Sequence, residues 1–267
     1  MKQTPPRLLI IAGSDSSGGA GVQADIKTAT AFGVYAMTAV TAVTVQDTVR
    51  VHAIHPVPAS IVRDQIARVL GDIGADAIKI GMLGSRETVE AVADVLTGHA
   101  SIPIVLDPVL VSTSGTPLME ERTIDIMTSR LFPLAALVTP NLPEAKRLTG
   151  MNVGDEPDIV RAGQRLREHG AKSVLVKGGH AEGDCVRDVL VAEGGIETFE
   201  APRIAAVSAH GTGCTLSTAI ACGLAKGASL SDAIRHARDF VRVALAAAAN
   251  LGVGSRLLDH MHNASCI

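Results

Sequence analysis

The sequence is poor in aromatic residues: its 267 residues include four Phe, one Tyr and no Trp. So few aromatic rings argue against a surface that stacks single-stranded nucleic acid and against an interface built on aromatic side chains. The net charge of -3 and the pI of about 6.3 give no basic surface for a polyanion. We therefore expect no nucleic acid among the partners of this protein.

Cysteine is also scarce. The four cysteines form no CxxC pair and have neither the spacing of a metal site nor the density of a disulfide framework. No apolar run reaches the roughly 18 residues of a membrane span, and the apolar stretch at residues 8–12 is too short for a secretory signal. These features predict a cytoplasmic protein with no membrane partner.

What the sequence does contain is aliphatic surface, with 47% hydrophobic and only 19% charged residues. This balance excludes a disordered chain. Short runs of Val, Ile and Leu alternate with longer segments that have helical spacing. The predicted strands are residues 8–13, 36–45, 77–81, 102–107, 135–139, 173–177 and 186–192. The predicted helices include residues 61–72, 88–96, 159–169, 215–225 and 232–250.

Strands that alternate with helices predict βαβ units and an open, doubly wound α/β sheet. We find no internal repeat, low-complexity tract or linker, so we expect one domain over residues 1–267, with a loosely ordered polar tail at 255–267. Ligands of such folds bind at the carboxyl ends of the strands. The segments at those ends are SDSSGGAG, Gln46-Asp47, GML, DPVLVSTSG, TPNLPE and KGGH.

The first glycine-rich segment, AGSDSSGGAGVQAD, follows a predicted strand that ends at Gly13. Glycines let backbone N–H groups approach a ligand, and the start of a helix favours anions. The segment is no Walker A loop, and its GxGxxA match lacks the strand offset and the downstream acid of a dinucleotide site. Asp25, one turn inside the predicted helix, is either an acceptor for a substrate hydroxyl or amine, or a surface acid that complements the helix dipole.

The second segment, HGTGCT, leads into an Ala-rich helix. Small residues at a helix start leave N–H donors free to surround an anion, so Gly211, Thr212, Gly213 and Cys214 are candidates for an anion hole. The same field is expected to depress the pKa of the Cys214 thiol and make it a candidate base. The alternative is a tight turn with a small buried cysteine.

Two further segments carry charged or coordinating side chains. Asn141 and Glu144 follow one predicted strand and Asp107 ends another, a donor set suited to Mg²⁺. Asn141 and Glu144 also fit a capping box, and the two interpretations are compatible. Lys177, at a strand end before two glycines, is either a phosphate counter-charge or an ordinary surface lysine. Together, these parts are those of phosphoryl transfer.

The motifs AGSDSSGGAGVQADIKT, IKIGML, DPVLVSTSG, TPNLPEA, VKGGH and HGTGCTLS occur in one order along residues 8–227. In this order they resemble the hydroxymethylpyrimidine/phosphomethylpyrimidine kinases of thiamine biosynthesis, in the ribokinase-like superfamily. The resemblance implies a three-layer αβα sandwich, a homodimer, and ATP and Mg²⁺ as cofactors. The implied reaction phosphorylates 4-amino-5-hydroxymethyl-2-methylpyrimidine, and then converts the monophosphate to the diphosphate.

The resemblance also implies roles for individual residues. Asp25 and Gln46 would hydrogen-bond the aminopyrimidine, while Gly13 and Met82 would line its pocket. Cys214 would be the catalytic base, within the anion hole formed with Gly211, Thr212 and Gly213. Lys177 and Thr212 would contact ATP, and Mg²⁺ would be organised by Asp107, Asn141 and Glu144.

Two positions separate branches of the family. The wider superfamily carries Asp where this chain has Cys214, so the cysteine favours the pyrimidine kinases over sugar kinases. Many relatives carry Lys where this chain has Thr113, which removes a charge near the expected phosphate path. The alternatives are a pyridoxal or pyridoxine kinase, against which Gln46 and Met82 speak, and a non-catalytic nucleotide-binding module, which would have no use for Cys214.

Overall fold

A nine-stranded sheet runs through the computed structural model, which describes residues 4–112, 114–180, 183–204 and 209–262. In space the strands follow the order β3-β2-β1-β4-β5-β6-β7-β8-β9. Their bounds are β1 (Arg7–Ser14), β2 (Tyr35–Gln46), β3 (Val51–Pro56), β4 (Ala77–Ile80), β5 (Ile104–Leu106), β6 (Leu137–Val138), β7 (Val174–Val176), β8 (Cys185–Ala192) and β9 (Gly195–Pro202). The six central strands pair in parallel, whereas β3 at one edge and β8 with β9 at the other are antiparallel.

Helices cover both faces of this sheet. In β1, Leu9 and Ile11 pack into one core cluster while Leu8 and Ile10 pack into the other, because successive strand residues point to opposite faces. The first cluster contains α2 (Ala59–Asp72), α3 (Arg86–Thr97), α4 (Glu121–Leu131), α5 (Leu142–Thr149) and α6 (Glu156–Glu168). The second contains α1 (Gly21–Ala31), α7 (Thr212–Ala225) and α8 (Leu230–Ala246). The predicted three-layer αβα fold is therefore confirmed.

All seven predicted strands are present, with ends shifted by a few residues. Two strands of this sheet that the sequence pattern did not indicate, β3 and β9, lie at its edges and are largely exposed, so they carry no apolar run. Helix α4 was also not predicted. Among the described residues, no helix is both long enough and apolar enough to cross a bilayer.

Residues 255–262, the described part of the predicted loose tail, are packed against other parts of the chain. Strand β11 (Arg256–Leu257) pairs in parallel with β10 (Ala209–His210), and the N–H of Ser255 donates to the carbonyl of Thr48 at 2.9 Å. His260 is buried and lies 2.9 Å from the Thr215 hydroxyl. Polar residues here find partners in distant loops, which composition alone does not reveal. Residues 263–267 and Thr113 lie outside the described residues.

Candidate active site

The carboxyl ends of the parallel strands open onto a cavity of about 740 Å³. Every loop that the sequence analysis singled out contributes to its wall, because parallel strands bring their carboxyl ends to the same edge of the sheet. The predicted site residues that line the cavity are Gly13, Gln46, Met82, Asp107, Asn141, Glu144, Lys177, Gly211, Thr212, Gly213 and Cys214. Asp25 is the exception.

The N-terminus of α7 forms one wall of this cavity. Gly211 precedes the helix with φ of +85°, and a Cβ there would collide with the carbonyl oxygen of Gly19, so the position requires glycine. No side chain among the described residues caps the helix. The N–H groups of the first turn lack intrahelical acceptors and carry the positive end of the helix dipole, so this terminus can bind an anion.

Cys214 lies in that first turn and contributes to the cavity wall. Burial raises the pKa of its thiol to about 11, although the charge of Lys79 acts in the opposite direction. The expected depression of the Cys214 pKa is therefore wrong, because removal from water outweighs the charge of the nearby lysine. The thiol keeps its proton at neutral pH.

Asp25 does not line the cavity but lies behind it, fully buried. Its Oδ2 accepts from Lys79 Nζ at 2.8 Å, and its Oδ1 accepts from the Thr218 hydroxyl at 2.6 Å. Both carboxylate oxygens are thus bound inside the protein, which leaves Asp25 without access to a substrate amine. The physical reason is that the face of α1 that carries Asp25 packs inward, beside Val22 and Ala29.

Lys79 was not predicted, although a lysine in the middle of an apolar strand is an unusual signal. It is fully buried in β4 and lines the cavity. Burial alone would lower the pKa of Lys79, but the charges of Asp25 and Asp107 and the hydrogen bond to Asp25 oppose it, and that pKa lies above its ordinary value. Lys79 is therefore a buried cation beside the thiol of Cys214.

A second charged pair lies beside the start of α7. Lys177 Nζ donates to Asp107 Oδ1 at 2.7 Å, and Thr139 adds a hydrogen bond to the same oxygen at 3.1 Å. A Cβ built on Gly213 would lie 3.2 Å from Lys177 Nζ and 3.6 Å from Asp107 Oδ2. Burial alone would lower the pKa of Lys177, but Asp107 and Glu144 outweigh it and raise that pKa. The ammonium group is thus charged and adjacent to the anion-binding helix terminus.

Asn141 and Glu144 form the predicted capping box at the start of α5. Asn141 Oδ1 accepts from the N–H of Glu144 at 2.9 Å, and Glu144 Oε2 accepts from the N–H of Asn141 at 2.8 Å. Burial raises the pKa of Glu144 to about 7, and the nearby charge of Asp107 adds to the effect while Lys177 opposes it. A cation near Glu144 would relieve this penalty.

This donor set fits Mg²⁺ in part. The carboxylates of Glu144 and Asp107 are close enough to influence one another, whereas the carbonyl oxygen of the Asn141 side chain is already committed to the helix cap. Within the described part of the chain, no three His, Cys, Asp or Glu side chains are grouped to hold a metal alone. Such a pair suits an ion that takes most of its ligands from water and phosphate.

The opposite side of the cavity is less charged. A Cβ on Gly13 would lie 2.6 Å from Met82 Cε, so glycine lets the Met82 side chain approach β1. Gln46 ends β2, and its backbone is held by the hydroxyl of Ser16 through hydrogen bonds of 2.8 and 2.6 Å. The Gln46 amide nitrogen lies 2.8 Å from His210 Nε2.

His210 and Asp15 were not among the predicted site residues, and a histidine in a loop carries little signal by itself. Both are buried and line the cavity, and His210 Nε2 lies 3.0 Å from Asp15 Oδ2. Burial alone would raise the pKa of Asp15, but hydrogen bonds from His210, Ser17 and Ala20 outweigh it and lower that pKa. Asp15 is therefore an ionised acceptor.

Comparison with protein families gives one match over most of the chain: a family model described as phosphomethylpyrimidine kinase covers residues 15–259. Over 258 residues the chain is 42% identical to the hydroxymethylpyrimidine/phosphomethylpyrimidine kinase of Haemophilus influenzae, covering 95% of this chain and 96% of that protein. It is 46% identical over 255 residues to the thiamine biosynthesis bifunctional protein ThiED of Geobacter sulfurreducens, covering 95% of this chain. This chain spans 52% of the length of that bifunctional protein.

Solved structures include two kinds of similar kinase. The ADP complex of Bacillus subtilis pyridoxal kinase has a TM-score of 0.90 at 33% identity, covering 97% of this chain and 98% of its own. Phosphomethylpyrimidine kinase from Clostridium difficile has a TM-score of 0.79 at 37% identity, covering 90% and 98%. Pyridoxal kinase from Staphylococcus aureus, in complex with AMP-PCP and pyridoxal, has a TM-score of 0.89 at 31% identity, covering 98% and 96%.

Proposed function

This chain belongs to the phosphomethylpyrimidine kinase family, and we propose that it phosphorylates 4-amino-5-hydroxymethyl-2-methylpyrimidine with ATP. It then phosphorylates the monophosphate to the diphosphate, in thiamine biosynthesis. Its relatives named for both pyrimidine phosphorylations match it over almost their whole length. As a member of this family the chain is a kinase, a phosphotransferase that uses an alcohol as acceptor.

One observation carries this proposal: the segment from His210 to Gly213 joins two chemically different sides of one cavity. At its start, His210 contacts Gln46, on the side that Met82 also lines. Three residues later, Gly213 lies beside Lys177 and Asp107. A flat heterocycle at the first side and a polyphosphate at the second would bring their reacting atoms together at the start of α7.

At the second side, the N–H groups of the first turn of α7 and the ammonium of Lys177 would bind the phosphates of ATP, with Thr212 in the same turn. Mg²⁺ would add positive charge to offset the phosphate oxygens. Asp107 and Glu144 would hold it, while Asn141 keeps Glu144 in place through the helix cap. Binding here rests on local groups, since the whole chain carries a net charge of -3.

At the first side, Gln46 would read the polar edge of the pyrimidine, with Gly13 and Met82 along the ring. Cys214 would accept the proton of the acceptor hydroxyl. Because burial raises the pKa of Cys214 to about 11, only a small thiolate fraction exists at neutral pH, and kcat should rise with pH below that value. Asp25 holds Lys79 rather than substrate, and Lys79 places its charge near the thiol.

The proposal is tested by assaying the pyrimidine alcohol with ATP and Mg²⁺ and detecting the phosphorylated products. Absence of product at high enzyme concentration would refute it. Cys214→Ala should lower kcat far more than it changes the affinity for the pyrimidine. The matched control is Cys222→Ala, since Cys222 lies in the same helix but in the core cluster behind it. Equal kcat values for the two variants would remove Cys214 from the role of base.

A second candidate is a pyridoxal kinase, which the TM-scores of 0.90 for pyridoxal kinase structures from Bacillus subtilis and Staphylococcus aureus favour over the 0.79 of the pyrimidine kinase structure. Pyridoxal and the pyrimidine alcohol both carry a hydroxymethyl group on a six-membered nitrogen ring. The identities favour the pyrimidine, with 37% against 33% among these structures. Comparison of kcat/KM for the two alcohols decides between them.

We also propose that the chain is a single domain that forms a homodimer in the cytoplasm. One sheet runs through the described residues, and Val45 and Val253 expose 59% and 96% of their surface. They flank neighbouring loops, since the Gly254 N–H donates to the Thr48 hydroxyl at 3.1 Å. A second copy would cover this apolar surface. Sedimentation equilibrium should show a dimer that Val45→Glu weakens, and a wild-type monomer at micromolar concentration would exclude it.

A further inference from the structure

Three polar side chains from distant loops meet at the substrate side of the cavity. Asp15 follows β1, Gln46 ends β2, and His210 lies in β10, 195 residues after Asp15. The single atom His210 Nε2 lies 3.0 Å from Asp15 Oδ2 and 2.8 Å from the side-chain amide of Gln46. The proposed function gives a role to Gln46 but none to Asp15 or His210.

Asp15 is the fixed member of the cluster. Its carboxylate accepts N–H groups of Ser17 at 2.9 Å, Gly19 at 3.1 Å and Ala20 at 2.8 Å, and the Ser17 hydroxyl at 2.8 Å. Backbone donors on a buried acid hold both its position and its charge. Asp15 Oδ2, the atom that faces His210, is therefore always an acceptor. The strongest hydrogen bond that His210 Nε2 can make here is one in which its N–H donates to Asp15 Oδ2.

A ring nitrogen has one hydrogen or one lone pair, and here it has two neighbours. If Nε2–H donates to Asp15, the Gln46 amide must turn an acceptor, its carbonyl oxygen, toward the histidine. If instead the Gln46 amide donated to a bare Nε2, the lone pair of that nitrogen would face the Asp15 carboxylate. In the first arrangement the two acceptors share the Nε2 hydrogen, whereas in the second the lone pair of Nε2 faces the Asp15 carboxylate with no hydrogen between them, so Asp15 selects which end of the Gln46 amide faces His210.

Thr44 completes the first arrangement. Its hydroxyl donates its hydrogen to the carbonyl of Ser14 at 2.8 Å, so toward Gln46 it can only accept. Thr44 also lines the cavity, and its Oγ1 lies 3.3 Å from Gln46 Oε1; when the amide turns its carbonyl toward His210, the amide nitrogen takes that place and donates to Thr44. The amide thus presents one N–H donor and one carbonyl acceptor to the cavity in a fixed order.

We propose that His210, held by Asp15, is a positioning residue that sets the orientation of the Gln46 amide and thereby the preference for an aminopyrimidine over a pyridoxal ring. This inference rests on the proposed function. An aminopyrimidine has a ring-nitrogen acceptor beside an amino donor, which complements a donor and an acceptor in one plane. Pyridoxal has a ring nitrogen but no neighbouring amino group, so the second lone pair of the Gln46 carbonyl, which faces the cavity, would receive no hydrogen bond from an amino group of the ring.

The test is a double-mutant cycle on substrate preference, measured as kcat/KM for the pyrimidine alcohol divided by kcat/KM for pyridoxal. The proteins are the wild type, His210→Asn, Gln46→Ala and the double variant. His210→Asn should reduce the ratio about tenfold, the scale of one well-placed hydrogen bond. In the Gln46→Ala background the same change should alter the ratio less than about twofold, because the residue through which His210 acts is gone.

Equal loss of kcat/KM for both substrates, or the same change of ratio in both backgrounds, would overturn the inference. The KM for ATP provides the internal control and should stay unchanged. If His210→Asn does not fold, Asp15→Asn is measured in the same way, since it removes the negative charge that faces His210 while it keeps the shape. Failure of the proposed function gives a different result. The wild type would then phosphorylate neither substrate, or it would prefer pyridoxal. In either case there is no preference for the pyrimidine that His210 could set.

Discussion

Replacing Lys79 by Met tests the buried charge pair behind the cavity. Met keeps most of the volume of the side chain but removes the ammonium that lies 2.8 Å from Asp25 Oδ2. Both side chains are fully buried, so water cannot replace the hydrogen bond that the Asp25 carboxylate loses. Its one remaining hydrogen bond of those described above is from the hydroxyl of Thr218. The variant should therefore lose stability because it contains an uncompensated buried charge, and not because the substitution leaves a cavity.

Breaking a buried ion pair by removing one partner costs about 3–5 kcal/mol. For a chain of this size that lowers the melting temperature by roughly 6–20 °C. Burial raises the pKa of Asp25, and without Lys79 only the hydrogen bond from Thr218 opposes that effect. The folded variant then binds a proton that the unfolded chain releases, so its free energy of unfolding falls as the pH rises. We expect a small loss at pH 4 and the full loss at pH 8.

The assay is thermal and urea unfolding of the wild type, Lys79→Met and Lys79→Met/Asp25→Asn at both pH values. The double variant should regain at least half of the loss, because it carries no buried charge and keeps an acceptor for Thr218. Lys146→Met is the matched control, since Lys146 is exposed on α5 and its replacement should change stability by less than about 0.5 kcal/mol. A loss that is independent of pH, or a double variant no better than the single one, would refute the reasoning.

Three further predictions concern other parts of the fold. Burial lowers the pKa of His260 from 6.5 to about 4, so the folded state keeps it neutral; about 3 kcal/mol of stability is present above pH 6.5 and lost as the pH falls toward 4. Urea unfolding of His260→Gln should lack this slope. Gly211→Ala should abolish activity and lower the melting temperature sharply, whereas Gly33→Ala, also at positive φ but with nothing within 4 Å, should cost only the roughly 1–2 kcal/mol of left-handed strain; equal melting temperatures would contradict the proposed close approach to Gly19. Asn141→Ala should remove the α5 cap at a cost of about 1 kcal/mol, with a raised KM for ATP in steady-state assays if Glu144 holds Mg²⁺.

The strands at the centre of the sheet were predictable because their chemistry is local. A strand buried on both faces is apolar at nearly every position, as β1 is from Leu8 to Ala12 and as β4 is apart from Lys79. The edge strands β3 and β9 bury little, so their residues have no such constraint and give no signal. The Asn141 cap was predictable for the same local reason, since a helix start is satisfied within four residues.

The direction in which a side chain points could not be predicted from the residues near it in the sequence, and this direction decided the role of Asp25. From sequence this residue could accept a hydrogen bond from a substrate or from solvent. The packing of α1 against β1 and α7, with Lys79 bound to the carboxylate, excludes both. The protonation of Cys214 depended on the same kind of information. A helix start predicts a depressed thiol pKa, but the depth of the site raises it to about 11.

The sequence by itself determined the layered fold and the set of loops that reach the active site. Both depend on short stretches of sequence, because the burial pattern of a strand and the position of its carboxyl end can be recognised within a few residues. Its resemblance to a kinase family indicated the chemistry as well. Only the tertiary structure decided which side chains form hydrogen bonds or ion pairs with one another. Lys79 with Asp25, and Asp15 with His210 and Gln46, interact across tens to hundreds of residues. Electrostatic energy depends on separation in space and on exclusion of water, neither of which sequence spacing specifies.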